Sequence, residues 1–582
     1  MALSLASHHA LAESRVRQAG ADRVLCETSF LDVSPDGAWL VAWSRGNAPL
    51  GPGPDFAVLK VDCLLSGASV DACTVAAVES RSPPVQLAWK GDSTALMLLS
   101  PGIGAQYLYA PAFSEQQSVR LSAKTKTNAR RIRLDGYIEP AEFEKEAFVV
   151  DAVNAQAQSA GIIEEIHMGA GATGAGVFLS RDTLEARTTY NGPPLAGGIS
   201  GASLIDNGKL IFAEGRSYLL AAGKLYDART GQPVAGGPRY KLSPQGKIAF
   251  STSDLGRYTS FQGGRTHSDA VDMPAGRLLG EYDQSADGKT RALQFIAPAS
   301  RPAFRIERGA ERRDMACGSG ADDRLVDIED LRLGADAHQV DARLFSQKDP
   351  AGLVVLAGGG PGATSQGADA LRLAKPFLNR KWDVLLVTAS GNFGAGRPTV
   401  DRLAARGGGA VEDDARAILS GVDAFRGRYA RHVFYGESYG GLLGLAVMNK
   451  DTGSRRRFDR IMLAAPWLKP RPPQTWLDSR GVSKTDLAVQ ETWERVAMGI
   501  DWSKPNDPFR DWAERQRAAA KCSARLSILH GDADPAFDPS DIPCRPNDGS
   551  RFTKAPASDH MTTLAGNADW IARELDTLTD GR

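Results

Sequence analysis

Gly436-Glu437-Ser438-Tyr439-Gly440-Gly441 decides how the C-terminal half of this chain is read. An apolar, β-like run, His432-Val433-Phe434-Tyr435, leads into it, and small and apolar residues follow from Leu442 to Met448. Strand, Gly-x-Ser-x-Gly, helix is the layout of a nucleophile elbow. A turn this tight strains the serine backbone, and glycines two residues before and after it prevent collisions between side chains and backbone. The serine oxygen then stands clear at the top of a sheet, and the helix N-terminus behind it favours developing negative charge. In a chain with 61 glycines the same pattern also arises as a plain Gly-rich turn, so its company decides the reading.

That company is present. In hydrolases built on such an elbow the acid and the histidine follow the serine along the chain. Leu526-Ser527-Ile528-Leu529 reads as a buried strand that ends in His530-Gly531-Asp532-Ala533-Asp534-Pro535. A carboxylate therefore leaves a strand end on a turn, with Asp534 the leading acid and Asp532 the runner-up. Of eight histidines only His560 follows that acid, in the polar stretch Ala557-Ser558-Asp559-His560-Met561, read as a loop before a final amphipathic segment, Asn567 to Leu578. A tetrahedral oxyanion needs about two backbone N–H donors. One is expected from Tyr439, just after the serine. The other is expected from Gly359 or Gly360, in Ala357-Gly358-Gly359-Gly360-Pro361-Gly362 after the strand-like Leu353-Val354-Val355-Leu356.

These residues carry a family resemblance over roughly 325–582. With Ser390-Gly391-Asn392-Phe393-Gly394-Ala395-Gly396-Arg397 and the acidic helix start Glu412-Asp413-Asp414, they resemble an α/β-hydrolase of the prolyl oligopeptidase kind. Gly358–Gly362 and Asp559-His560-Met561 are closer to proline iminopeptidase-type hydrolases. The resemblance implies a serine peptidase whose N-terminal β-propeller covers the active site and admits short peptides.

The 582 residues exceed one ordinary domain. We divide them into an N-terminal segment 1–24, an all-β, propeller-like domain 25–320, and a doubly wound, mostly parallel α/β-hydrolase domain 321–582. In the N-terminal part, turns of one form precede strand-like runs: Ser34-Pro35-Asp36-Gly37, Lys90-Gly91-Asp92-Ser93, Ile205-Asp206-Asn207-Gly208, Ser243-Pro244-Gln245-Gly246 and Ser285-Ala286-Asp287-Gly288. The last three recur at about 40 residues, the period of four-stranded blades, and six or seven blades are expected. An irregular β-sandwich is the alternative. In the C-terminal part, five strand cores alternate with longer amphipathic stretches: Leu353–Leu356, Val384–Val387, His432–Tyr435, Ile461–Ala464 and Leu526–Leu529. A helical insertion around 467–520 is rich in tryptophan and lies where such folds often carry a lid. Its tryptophans are read first as core packing.

With 42% hydrophobic residues, 24% charged residues and zero formal net charge, the chain has the composition of a soluble globular protein. It shows no basic field for nucleic acid and no apolar run long enough for a membrane span. No metal, nucleotide or flavin motif is evident, so no cofactor is expected. Six cysteines include the local pairs Cys63/Cys73 and Cys522/Cys544, with Cys26 and Cys317 near the ends of the N-terminal region. The even count in local pairs fits disulfides in a periplasmic or secreted protein, and free thiols in the cytoplasm are the alternative. Met1–Ala12 reads either as the remnant of a signal peptide or as an unstructured start.

The resulting expectation is a serine hydrolase, with a peptidase acting on short peptides through an acyl-enzyme as the leading chemistry. Ser438 is the nucleophile, His560 the base and Asp534 the acid that orients it. A carboxylesterase or other hydrolase of small acyl substrates could use the same triad. A lasso-peptide-type isopeptidase and a non-catalytic propeller scaffold are further alternatives.

Overall fold

A computed structural model describes residues 30–579 apart from 44–55, 79–85, 120–161, 168–175, 191–202, 317–325, 393–399, 469–493, 535–543 and shorter loop stretches. Six four-stranded antiparallel sheets follow one another along the chain, at residues 30–78, 86–119, 162–205, 209–235, 241–270 and 278–316. We number them sheets I to VI. The sequence left six or seven such units open, and six lie among the described residues. Of the five recurrent turns, most of the second, third and fourth lie outside the described residues.

Alternation within the strands explains how the sheets stack. In Trp39–Trp43, Leu40 and Ala42 join Leu31, Val33, Ala57 and Leu59 against Ala292, Phe304 and Ile306 of sheet VI. Trp39, Val41 and Trp43 point the other way, onto Trp89, Leu96, Leu108 and Phe113 of sheet II. Successive side chains on a strand face opposite sides, so sheet I is buried on both faces. Its contact with sheet VI joins the two ends of the N-terminal region, and the Val33 N–H donates to Asp283 Oδ2 at 2.8 Å across it.

The C-terminal region holds one eight-stranded sheet. Its strands are β1 (Asp327–Leu333), β2 (Val340–Ser346), β3 (Gly352–Ala357), β4 (Trp382–Val387), β5 (His432–Glu437), β6 (Arg460–Ala464), β7 (Leu526–Gly531) and β8 (Arg551–Ala555). They lie in the order β1-β2-β4-β3-β5-β6-β7-β8, with β1, β2 and β4 joined by antiparallel pairs and the rest parallel. The five expected strand cores are all strands of this sheet, and β1, β2 and β8 were not anticipated.

Helices cover both faces. Leu353 and Val355 of β3 face one cluster, with helices α3 (Gly408–Asp423) and α4 (Tyr439–Lys450). Val354 and Leu356 face the other, with α1 (Gly367–Leu378) and α7 (Ala568–Thr579). Between α1 and α3 runs α2 (Val400–Arg406). Within the tryptophan-rich insertion, α5 (Pro508–Ala518) packs on α3 and α4, and Trp467 and Trp512 are buried in the core. Trp476, Trp493 and Trp502 lie outside the described residues. Leu278 and Ile296 of sheet VI join the cluster around α1, so this helix bridges the two regions.

Cys63 and Cys73 form one disulfide and Cys522 and Cys544 another, each with 5.3 Å between Cα atoms. Cys26 and Cys317 lie outside the described residues. Among the described residues no helix is long and apolar enough to cross a membrane, and no cluster of His, Cys, Asp or Glu could hold a metal ion.

Candidate active site

All the singled-out residues gather where the parallel strands end, the edge at which α/β sheets place their ligands. Gly358 to Gly360 follow β3, Ser438 follows β5, Asp534 follows β7 and His560 follows β8. Ser438 has φ +52° and ψ −118° and directly precedes α4. Its N–H donates to the Ala464 carbonyl at 3.0 Å, and its carbonyl accepts the Trp467 N–H at 2.9 Å. Both backbone groups are thus tied to the end of β6 and the segment that follows it.

The flanking glycines are steric requirements. A Cβ on Gly436 would lie 2.3 Å from the Gly440 carbonyl oxygen, and one on Gly440 would lie 2.2 Å from that of Ala357. Strand β5 can hand over to α4 this closely only without side chains there.

Ser438 Oγ lies 2.9 Å from His560 Nε2, and His560 Nδ1 lies 2.9 Å from Asp534 Oδ2. Asp534 is fully buried. His560 was expected on a loop, but it is the first residue of a short helix, α6 (His560–Ala565). The reason is a capping box. Asp559 accepts from the Thr562 N–H at 2.7 Å, and Thr562 Oγ1 accepts the Asp559 N–H at 2.9 Å. Asp532 stands apart from the imidazole, 3.4 Å from Lys554 Nζ and accepting the Ser558 N–H at 3.3 Å.

The glycine-rich turn passes against Ser438, for a Cβ on Gly359 would lie 3.4 Å from Ser438 Cβ and 3.9 Å from its Oγ. Tyr439 begins α4, so its N–H has no partner within the helix and faces the N-terminal end. Its ring is fully buried, which holds the phenol well above its ordinary pKa, and nearby Asp414 adds to the shift.

Three side chains beside the site received no role from the sequence. Asn392 donates from Nδ2 to the Gly359 carbonyl at 2.8 Å. Asp414, fully buried, accepts the Ser390 N–H at 2.7 Å and the Ser390 hydroxyl at 2.9 Å. Burial raises its pKa to about 6 against these hydrogen bonds. Glu437, just before Ser438, is buried and accepts from Arg372 Nη2 at 3.2 Å. The first two lie in motifs that were visible, Ser390-Gly391-Asn392 and Glu412-Asp413-Asp414, but their partners are distant in sequence.

The strand order and the turn after β5 define the class, an α/β-hydrolase fold. Two solved structures share the fold over nearly the whole chain. Acylaminoacyl peptidase from Pyrococcus horikoshii is 12% identical, with 93% of this chain and 86% of that one covered and a TM-score of 0.50. A puromycin-hydrolyzing peptidase from Mycobacterium tuberculosis is 14% identical, with 95% and 94% covered and a TM-score of 0.50. At this identity the likeness is one of fold, and it extends across both regions. No family model and no curated protein matches the sequence.

Proposed function

We propose that this chain is a serine hydrolase acting on short peptides. The observation that carries the reading is the continuous contact from Ser438 Oγ through His560 to the buried Asp534, with both steps at 2.9 Å. Ser438 attacks the acyl carbon while His560 takes its proton and then passes it to the leaving group. Asp534 holds the tautomer that leaves Nε2 free to accept, and it stabilises the imidazolium. The N–H of Tyr439 and one from Gly359 or Gly360 receive the oxyanion. The acyl-enzyme is then hydrolysed by water through the same groups.

Peptides rather than simple esters are proposed because of the N-terminal half. We read sheets I to VI as the blades of a closed six-bladed propeller, with sheet I packed between II and VI in support. Set over the catalytic edge, such a domain limits substrates to short, flexible chains. The two disulfides support an oxidising compartment, periplasmic or secreted.

The test is active-site labelling. A fluorophosphonate should modify Ser438, and Ser438→Ala should abolish labelling and turnover while the protein stays folded. Labelling that persists in that variant removes the reading. Aminoacyl and dipeptidyl amides should be cleaved as well as p-nitrophenyl esters, and cleavage of the esters alone would leave an esterase.

A further inference from the structure

The segment that follows β4 holds both candidate oxyanion donors. On one side, the Tyr439 hydroxyl donates to the Ser390 carbonyl at 2.8 Å, and Ser390 is fastened to the buried Asp414. On the other, Asn392 Nδ2 donates to the Gly359 carbonyl at 2.8 Å, and Asn392 Oδ1 accepts the Ala363 N–H at 3.3 Å. The Gly362 N–H donates to the Gly391 carbonyl at 2.8 Å and closes the seam between the two loops. Asn392 is 2% exposed, and a Cβ on Gly360 would lie 2.0 Å from its Oδ1.

Peptide planarity turns this contact into a functional statement. In a trans peptide the carbonyl of one residue and the N–H of the next point in opposite directions. A side chain that fixes the Gly359 carbonyl therefore fixes the Gly360 N–H, aiming it away from Asn392. A Gly-Gly peptide has no side chains to prefer one orientation, since glycine takes positive and negative φ about equally readily.

We infer that Asn392 is a positioning residue that sets the Gly359–Gly360 peptide, so that the N–H of Gly360, rather than that of Gly359, is the second oxyanion donor. The inference rests on the serine hydrolase reading and names a part of that site.

The experiment compares wild-type protein with Asn392→Asp and Asn392→Ala. The probes are p-nitrophenyl acetate turnover and the rate of fluorophosphonate labelling at Ser438. Asn392→Asp keeps the shape and the acceptor for Ala363, and it replaces the donor with an oxygen facing the Gly359 carbonyl. Both variants should lower kcat about 100-fold with KM changed by less than about threefold, because an oxyanion donor acts chiefly in the transition state. Labelling should slow by a similar factor. A folded variant with kcat within about threefold of wild type, or a loss confined to KM, overturns the assignment. So does unfolding of both variants, which would make Asn392 a folding residue. If wild-type Ser438 is not labelled at all, the hydrolase reading itself falls and takes this assignment with it.

Discussion

Ser438 is held at φ +52°, a region that typically costs a non-glycine residue on the order of 1–3 kcal/mol. The hydrogen bonds of its own N–H to the end of β6 and of its carbonyl to the segment just after it fix that conformation, so the strain is set by the backbone around it and not by the side chain. The proposed acid is fixed differently. Asp534 is buried against the imidazole, whereas Asp532 reaches Lys554 and is partly exposed. Asp534→Asn should therefore keep the fold and lower turnover by about four orders of magnitude, because the histidine tautomer is no longer set. Asp532→Asn should change it only a few-fold. Steady-state rates of the two variants, with melting curves as the control for folding, decide between them. The reverse ranking would move the role to Asp532.

Turns and helix starts show which elements the sequence discloses. Ser34-Pro35-Asp36-Gly37 and Ser285-Ala286-Asp287-Gly288 look alike as strings and close alike in space. In each, the serine hydroxyl donates to the aspartate, at 2.6 and 2.7 Å, and the glycine takes a positive φ. Such turns are legible because every partner is within a few residues. Strands β3 to β7 were legible because they are buried on both faces and read as apolar runs. Strand β1, Asp-Ile-Glu-Asp-Leu-Arg-Leu, and strand β8, Arg-Phe-Thr-Lys-Ala, escape that test because they are the edges of the sheet and face water. Strand β2 escapes it because Asp341 and Arg343 are buried within it. The chain order of Ser438, Asp534 and His560 could be read from the sequence, while the links from Asn392 and Asp414 span loops that only the fold brings together.

Asp414 gives the element scale its own prediction. Burial raises its pKa from 3.8 to about 6, so the folded state binds this proton more tightly than the unfolded chain. The resulting stabilisation is complete below about pH 4 and is lost as pH rises through about 6, a difference of about 3 kcal/mol. Asp414→Asn has no such proton to bind. Urea midpoints of both proteins at pH 4 and pH 8 should show wild type losing stability relative to the variant across that interval. Parallel profiles would contradict it.

At the scale of the whole molecule, the proposed propeller sets the size of the substrate. A folded domain of 100 residues has a radius of gyration of ~13 Å, far wider than an extended peptide. One cleavable sequence should thus be cut as a free short peptide and spared as a loop in a stable folded protein. Equal kcat/KM for the two forms would mean that nothing restricts access and would weaken the case for a peptidase of short chains. The packing of sheet I on sheet VI also has a bearing on time. Val33 meets Asp283 across 250 residues of sequence, and one apolar face of Leu40 and Ala42 has no cover until Ala292 and Phe304 arrive. At ordinary rates of translation that interval lasts on the order of tens of seconds. The first sheet leaves the ribosome sticky and must wait. A nascent chain stalled between the two would leave that apolar face uncovered and open to aggregation.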